Sequence, residues 1–169
     1  MQGELSLETV AEIAIALAGF SGLIAMVRSG PVHEWHPRVR LAFWISLGWS
    51  VAAVVLSLLP SFLEPLGFAS WAFLNGVVAV ALTTGLVAML RAHFVLTRAG
   101  TPTQNPWHWF VNLFVIVVGA IATSANAVGF SGEPGFAWYR FGVIACLFAA
   151  LPGFLASFRV RNVEDDGLG

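Results

Sequence analysis

The sequence predicts an all-α integral membrane bundle of five transmembrane helices, with its N-terminus outside and its C-terminus in the cytoplasm. Three observations carry that expectation. Hydrophobic residues make up 58% of the 169-residue chain and charged residues only 10%, with a mean hydropathy of +0.83. A helix needs about 20 mostly apolar residues to cross a bilayer. Uncharged runs cover 13–27, 41–63, 65–90, 99–132 and 141–158, which is one per span. Arginine then sets the direction. All eight basic residues are arginines, and seven of them fall in alternate gaps: Arg28, Arg38 and Arg40, then Arg91 and Arg98, then Arg159 and Arg161. The intervening gaps hold only Glu64 and Glu133. Positively charged loops stay on the cytoplasmic side.

Helix 1 is expected over 6–28, from Ser6 as a cap to Ser29-Gly30-Pro31. Helix 2 covers 37–59, opening on Pro37, which suits a first turn, and stopping at Pro60. Helix 3 covers 70–97, ahead of Gly100 and Pro102. Helix 4 covers 105–128, with Asn105 as cap and Pro106 first; helix 5 covers 136–159, after Gly132-Glu133-Pro134-Gly135. Residues 1–161 thus form a single transmembrane domain, and the acidic tail 162–169 is read as disordered. The acidic start is read as a mature segment and not as a signal peptide. Trp35, Trp107 and Trp109 fall at the inner interface and Trp71 and Trp138 at the outer one, while Trp44 and Trp49 are deeper and read as packing.

Glu8-Thr9-Val10-Ala11-Glu12-Ile13-Ala14, followed by Ala18-Gly19-Phe20-Ser21-Gly22, resembles the opening of small bacterial multi-pass membrane proteins of about five spans. Those proteins begin with a similar acidic, small-residue-rich helix. The resemblance covers mainly helix 1. It implies the fold and a bacterial inner-membrane location, and it brings no activity with it.

Glu4, Glu8 and Glu12 recur at steps of four and so share one helix face. Glu12 lies about 9 Å below Ser6 at 1.5 Å per residue. Two readings stand: a cation-attracting outer mouth, or a structural ion pair. Arg140 is the natural partner, since it lies at the same depth in helix 5 and alone breaks the arginine pattern. Its alternative is to snorkel to the outer headgroups. Ala11, Ala14, Ala18, Ser21 or Gly22, and Ala25 give helix 1 a small-residue stripe, read first as packing within the bundle and second as a subunit interface. Asn75, Thr123 and Asn126 sit at similar depth and either line a hydrated ion path or bond helix to helix. Asn112 and Gly119 share the helix 4 face with Thr123 and Asn126. His33, His36, His93 and His108 gather at the inner side without the spacing of a zinc site. Cys146 is the single cysteine, which excludes an internal disulfide. Pro152-Gly153 is expected to kink helix 5.

No catalytic residues, cofactor or metal are expected, and no nucleic-acid partner, because no basic patch exists beyond the flanking arginines. The function expected first is a small-ion channel or transport protein. It self-associates in the lipid bilayer, because one five-helix unit packs shut. A non-catalytic assembly or scaffold protein is the alternative, and a membrane-embedded enzyme or lipid-handling protein the third reading.

Overall fold

A computed structural model describes residues 2–27, 31–67, 70–100, 106–129 and 135–159, with side chains described at 7–27, 31–67, 70–100, 109–129 and 135–155. The expected disordered tail, Arg28, Glu133 and Arg161 lie outside the described residues, as do the side chains of Glu4, Trp107, His108 and Arg159.

The five helices are α1 Gln2–Val27, α2 Pro37–Leu63, α3 Trp71–Arg98, α4 Pro106–Ala127 and α5 Gly135–Arg159. No strand occurs among the described residues. Each helix is long and apolar enough to cross a membrane, a pattern that fits a multi-pass membrane protein. Local chemistry fixes the ends. Ser70 Oγ accepts the N–H of Phe73 at 3.2 Å and caps α3, and His36 Nδ1 accepts the N–H of Arg38 at 3.4 Å beside Pro37. Gly100 and Gly129 follow α3 and α4 with φ of +76°, the left-handed conformation that ends helices.

Two bounds differ from expectation. The first helix runs back through Ser6 to Gln2, so Ser6 is not its cap. The second runs through Pro60 to Leu63. Pro60 has no N–H for the Leu56 carbonyl four residues earlier, which should weaken the helix. The Tyr139 hydroxyl of α5 donates to that same carbonyl instead.

Successive helices run antiparallel. Asn75 near the start of α3 meets Asn126 at the end of α4 and Gly135 at the start of α5. At the other end Arg38 of α2 meets His93 of α3, whose ring lies against Trp109 of α4. The helix ends bearing Glu64 and Arg140 form one pole, the acidic pole; Arg38, Arg40, Arg91 and Arg98 mark the arginine pole.

α5 is the central helix, packing against the other four, and α1 lies mainly on α2. Small residues make this possible. A Cβ on Gly142 would sit 2.5 Å from Val78 of α3 and 2.6 Å from Thr123 of α4. One on Gly153 would sit 2.6 Å from the Ala42 carbonyl oxygen of α2. Alanines 145, 149 and 150 fill the rest of the α5 surface toward the core. The interior also buries Ser21, Ser46, Ser50, Ser57, Asn75, Asn112, Thr123 and Asn126, while Ile15, Phe20, Phe62, Val80, Phe114, Ile121 and Phe148 face outward. Small and polar residues inside with bulky apolar residues outside is the arrangement suited to a lipid solvent. Trp49 packs in the core as expected of it, but Trp44, also read as packing, faces outward.

Candidate functional site

Three groups of polar side chains need an account, and they occupy different parts of the bundle. The first is the acidic face of α1. Leu7, Val10, Ala11, Ala14 and Ser21 are buried, with Ala18, Gly22 and Ala25 half-buried beside them. These recur at three- and four-residue steps and form the face that α1 turns to the bundle. Ser21 Oγ lies 3.5 Å from Ser46 Oγ of α2 and donates to the Leu17 carbonyl at 2.8 Å. Gly22 adds no close approach, since a Cβ there would meet nothing within 4 Å. Glu8 and Glu12 lie about 100–140° around the helix from this face, at 100° per residue. Both are exposed, as are Ile15, Gly19, Leu23 and Met26 along the same outward strip.

Arg140 is also exposed, on the outer surface of α5 with Ala137, Phe141, Phe148 and Leu155. The expected ion pair between Glu12 and Arg140 is not formed within the chain. Among the described residues the one ion pair is His33 Nε2 to Glu34 Oε1 at 3.7 Å, at the arginine pole. The physical reason is the azimuth of α1. Its small residues seat on α2, and that contact turns the carboxylates away from the bundle.

The second group is an amide knot at the acidic pole. Asn75 is fully buried, and Thr123 and Asn126 are buried with it. The two N–H groups of Asn75 Nδ2 are shared among three acceptors, the Trp71 carbonyl at 2.8 Å, the Gly135 carbonyl at 2.8 Å and Asn126 Oδ1 at 3.0 Å. One side chain thereby ties α3, α4 and the first residue of α5 together. The Trp71 ring covers the knot, edge-on to Phe136 at 5.1 Å and tilted on Tyr139 at 5.9 Å. Thr123 Oγ1 turns back to the Gly119 carbonyl at 2.8 Å. Asn112 donates to the Ala149 carbonyl at 3.3 Å. Between Asn126 and Asn112 the α4 face is closed by contact: Gly119 faces Ala145 and Leu82, and Thr123 faces Gly142. Asn75 and Asn112 thus bond from helix to helix, whereas Thr123 bonds back along α4. They are also brought nowhere near Glu8 and Glu12, because α1 packs on α2 and α5 and the knot joins α3, α4 and α5.

The third group lies at the arginine pole. Arg38 Nη1 is 3.4 Å from His93 Nδ1, and the His93 and Trp109 rings stand 4.2 Å apart. Arg40 Nη1 donates to the His33 carbonyl at 3.0 Å, and the Arg98 guanidinium lies 4.1 Å over the Phe94 ring. His33 and His36 are exposed. This cluster closes α2, α3 and α4 at that end. Sequence reasoning placed His93 at this pole but did not pair it with Arg38.

Among the described residues no group of three His, Cys, Asp or Glu side chains is placed to hold a metal ion. An apolar groove of about 550 Å³ runs between α3 and the end of α4, lined by Ala72, Phe73, Gly76, Val77, Val80 and Ala127. It offers no polar group for chemistry. Compared with protein-family models, curated proteins and solved structures, the chain matches none.

The residue missed most completely is Tyr139. It is fully buried and joins α5 to α2 through the Leu56 carbonyl. The signal was present as the chain's single tyrosine, near the start of one helix, and a proline inside another.

Proposed function

We propose that the chain is a small-ion channel or transport protein of the bacterial inner membrane, working as a homo-oligomer and passing the ion between its copies. The observation that carries this reading is the position of Glu8 and Glu12. Both are exposed inside an apolar segment, Leu7–Val27, that is long enough to span. A carboxylate at a helix centre in lipid costs roughly 2.5–3.5 kcal/mol, less near the interface. Facing a water-filled space between subunits removes that cost. Carboxylates at such an entrance concentrate cations.

The expected result is cation flux from purified protein in liposomes. Glu8→Gln with Glu12→Gln should lower the flux by about tenfold at low ionic strength and by less at high salt, where screening is stronger. No wild-type flux at any pH or voltage would end the channel reading.

The assembly-protein reading then remains. It is favoured by the closed α4 face, on which Asn112, Thr123 and Asn126 bond within the bundle.

Orientation follows the arginines: the acidic pole outside, the arginine pole in the cytoplasm. In a Cys146→Ser background, Glu64→Cys should react with an impermeant thiol reagent added to whole cells, and Ala99→Cys should react only after lysis. Both residues are exposed. The reverse pattern would invert the topology.

A further inference from the structure

We propose that His93 is a pH-operated latch at the arginine pole: neutral, its ring accepts a hydrogen bond from Arg38 and holds α3 to α2; protonated, it releases α2 and keeps α4. The latch rests on neither ion conduction nor self-association. Arg38 Nη1 lies 3.4 Å from His93 Nδ1. A guanidinium has donors and no acceptor, and it stays protonated in proteins. Nδ1 is therefore the accepting nitrogen, and the ring proton is on Nε2. A second proton, on Nδ1, sets donor against donor and positive charge against positive charge. Among the described residues Arg38 is the charged group that acts on the ring. The carboxylate of Glu34, in the connection before α2, pairs with His33. Arg40 donates to the His33 carbonyl, and His36 accepts the N–H of Arg38. On α3 itself Arg91 and Arg98 are exposed, the latter over the Phe94 ring. From α4 the ring meets the uncharged Trp109, with centroids 4.2 Å apart.

The two neighbours answer a proton in opposite ways. A cation beside Arg38 is repelled, whereas a cation against a tryptophan face is attracted by the ring quadrupole. Protonated His93 therefore leaves α2 for α4. The packing permits this. α2 lies against α1 and α5 far more than against α3, and α3 lies mainly on α4. The firm contact of α2 with α3 is at mid-helix, where Trp49 fits against Gly85 so closely that a Cβ on Gly85 would overlap the ring. Release of the latch thus parts the arginine ends of α2 and α3 and leaves their middles pinned. His93 is half-buried and five residues from Arg98, the last of α3, about 7.5 Å along the axis. Protons from solution reach it there. With the arginine pole in the cytoplasm, as proposed above, the latch answers to acidity on that side.

A distance between spin labels tests the latch. Trp44→Cys on α2 and Val95→Cys on α3, both exposed, are labelled in a Cys146→Ser background and measured in lipid vesicles. Lowering the pH from about 8 to about 5, the range in which histidine titrates, should lengthen the distance by about 2 Å, the scale of helix shifts in switching proteins. The contact is present at high pH and lost as pH falls. His93→Gln keeps an uncharged acceptor at every pH and should hold the short distance throughout. Arg38→Gln can donate to the neutral ring and accept from the protonated one, so it should also abolish the response. A wild-type distance that does not change with pH would overturn the proposal. So would a response that persists in His93→Gln or Arg38→Gln, which would assign it to His33, His36 or His108. A second measurement needs no substitution at the latch. Imidazole nitrogen-15 shifts of the wild-type protein report which ring nitrogen carries the proton. At about pH 8 Nδ1 of His93 should carry none; a proton there overturns the latch even where the variants fail to fold.

Discussion

Gly153→Leu should destabilise the fold by about 3 kcal/mol, at the upper end for overpacking a core. A Cβ at this position would approach the Ala42 carbonyl oxygen to 2.6 Å and the Ser46 backbone N–H nitrogen and Cβ to 3.2 Å. Two of those atoms are backbone, so no rotamer change relieves the contact. Only separation of α2 from α5 does, and that contact is the most extensive between helices in the bundle. Gly153→Ala should show the same direction with a smaller loss, about 1–2 kcal/mol. Gly48→Ala is the control, because a Cβ there meets nothing within 4 Å. Unfolding by denaturing detergent, followed by tryptophan fluorescence, measures all three. Trp49, buried against Gly85 across α2 and α3, reports on the core. A Gly153→Leu variant as stable as wild type would mean that α2 and α5 do not approach as closely as described.

The helices were legible in the sequence because a span is a one-dimensional feature. Length, missing charge and capping residues such as Ser70, Gly100 and Gly129 mark it without reference to neighbours. Depth was legible only in part: Glu12 was counted down from Ser6, and α1 begins four residues earlier, at Gln2. Azimuth was not, because it depends on which helices are adjacent. For α1 a partial signal existed. Ala11, Ala14, Ala18 and Ser21 occupy one face and Glu8 and Glu12 another, about 100–140° away on the helical wheel. If the small residues pack, the carboxylates face outward. The amide knot shows the other side of this limit. That Asn75 and Asn126 lie at similar depth follows from counting. That Asn75 also donates to the Gly135 carbonyl depends on where the α4–α5 connection returns the chain.

Pro60 is the sharpest instance of a local rule overridden by a distant residue. A proline inside a helix leaves the carbonyl four residues earlier without its donor, and in lipid no water replaces it. Sequence reasoning therefore ended the helix there. The Tyr139 hydroxyl supplies the missing donor from α5, and α2 continues to Leu63. Tyr139→Ala should remove both this bond and a fully buried ring, destabilising the fold by about 3–5 kcal/mol, as other aromatic-to-alanine core changes do. Tyr139→Phe keeps the ring and isolates the hydroxyl. It should cost about 1–2 kcal/mol, because the Leu56 carbonyl is left buried without a donor. Pro60→Ala restores a backbone N–H four residues along from that carbonyl. In the Pro60→Ala background, then, the cost of Tyr139→Phe should fall toward zero. Additivity in this double-mutant cycle, read from detergent-denaturant unfolding of the four proteins, would show that the hydroxyl does not compensate the proline. Coupling of about 1 kcal/mol or more would show that the second helix passes its proline because the fifth helix donates the hydrogen bond that proline lacks.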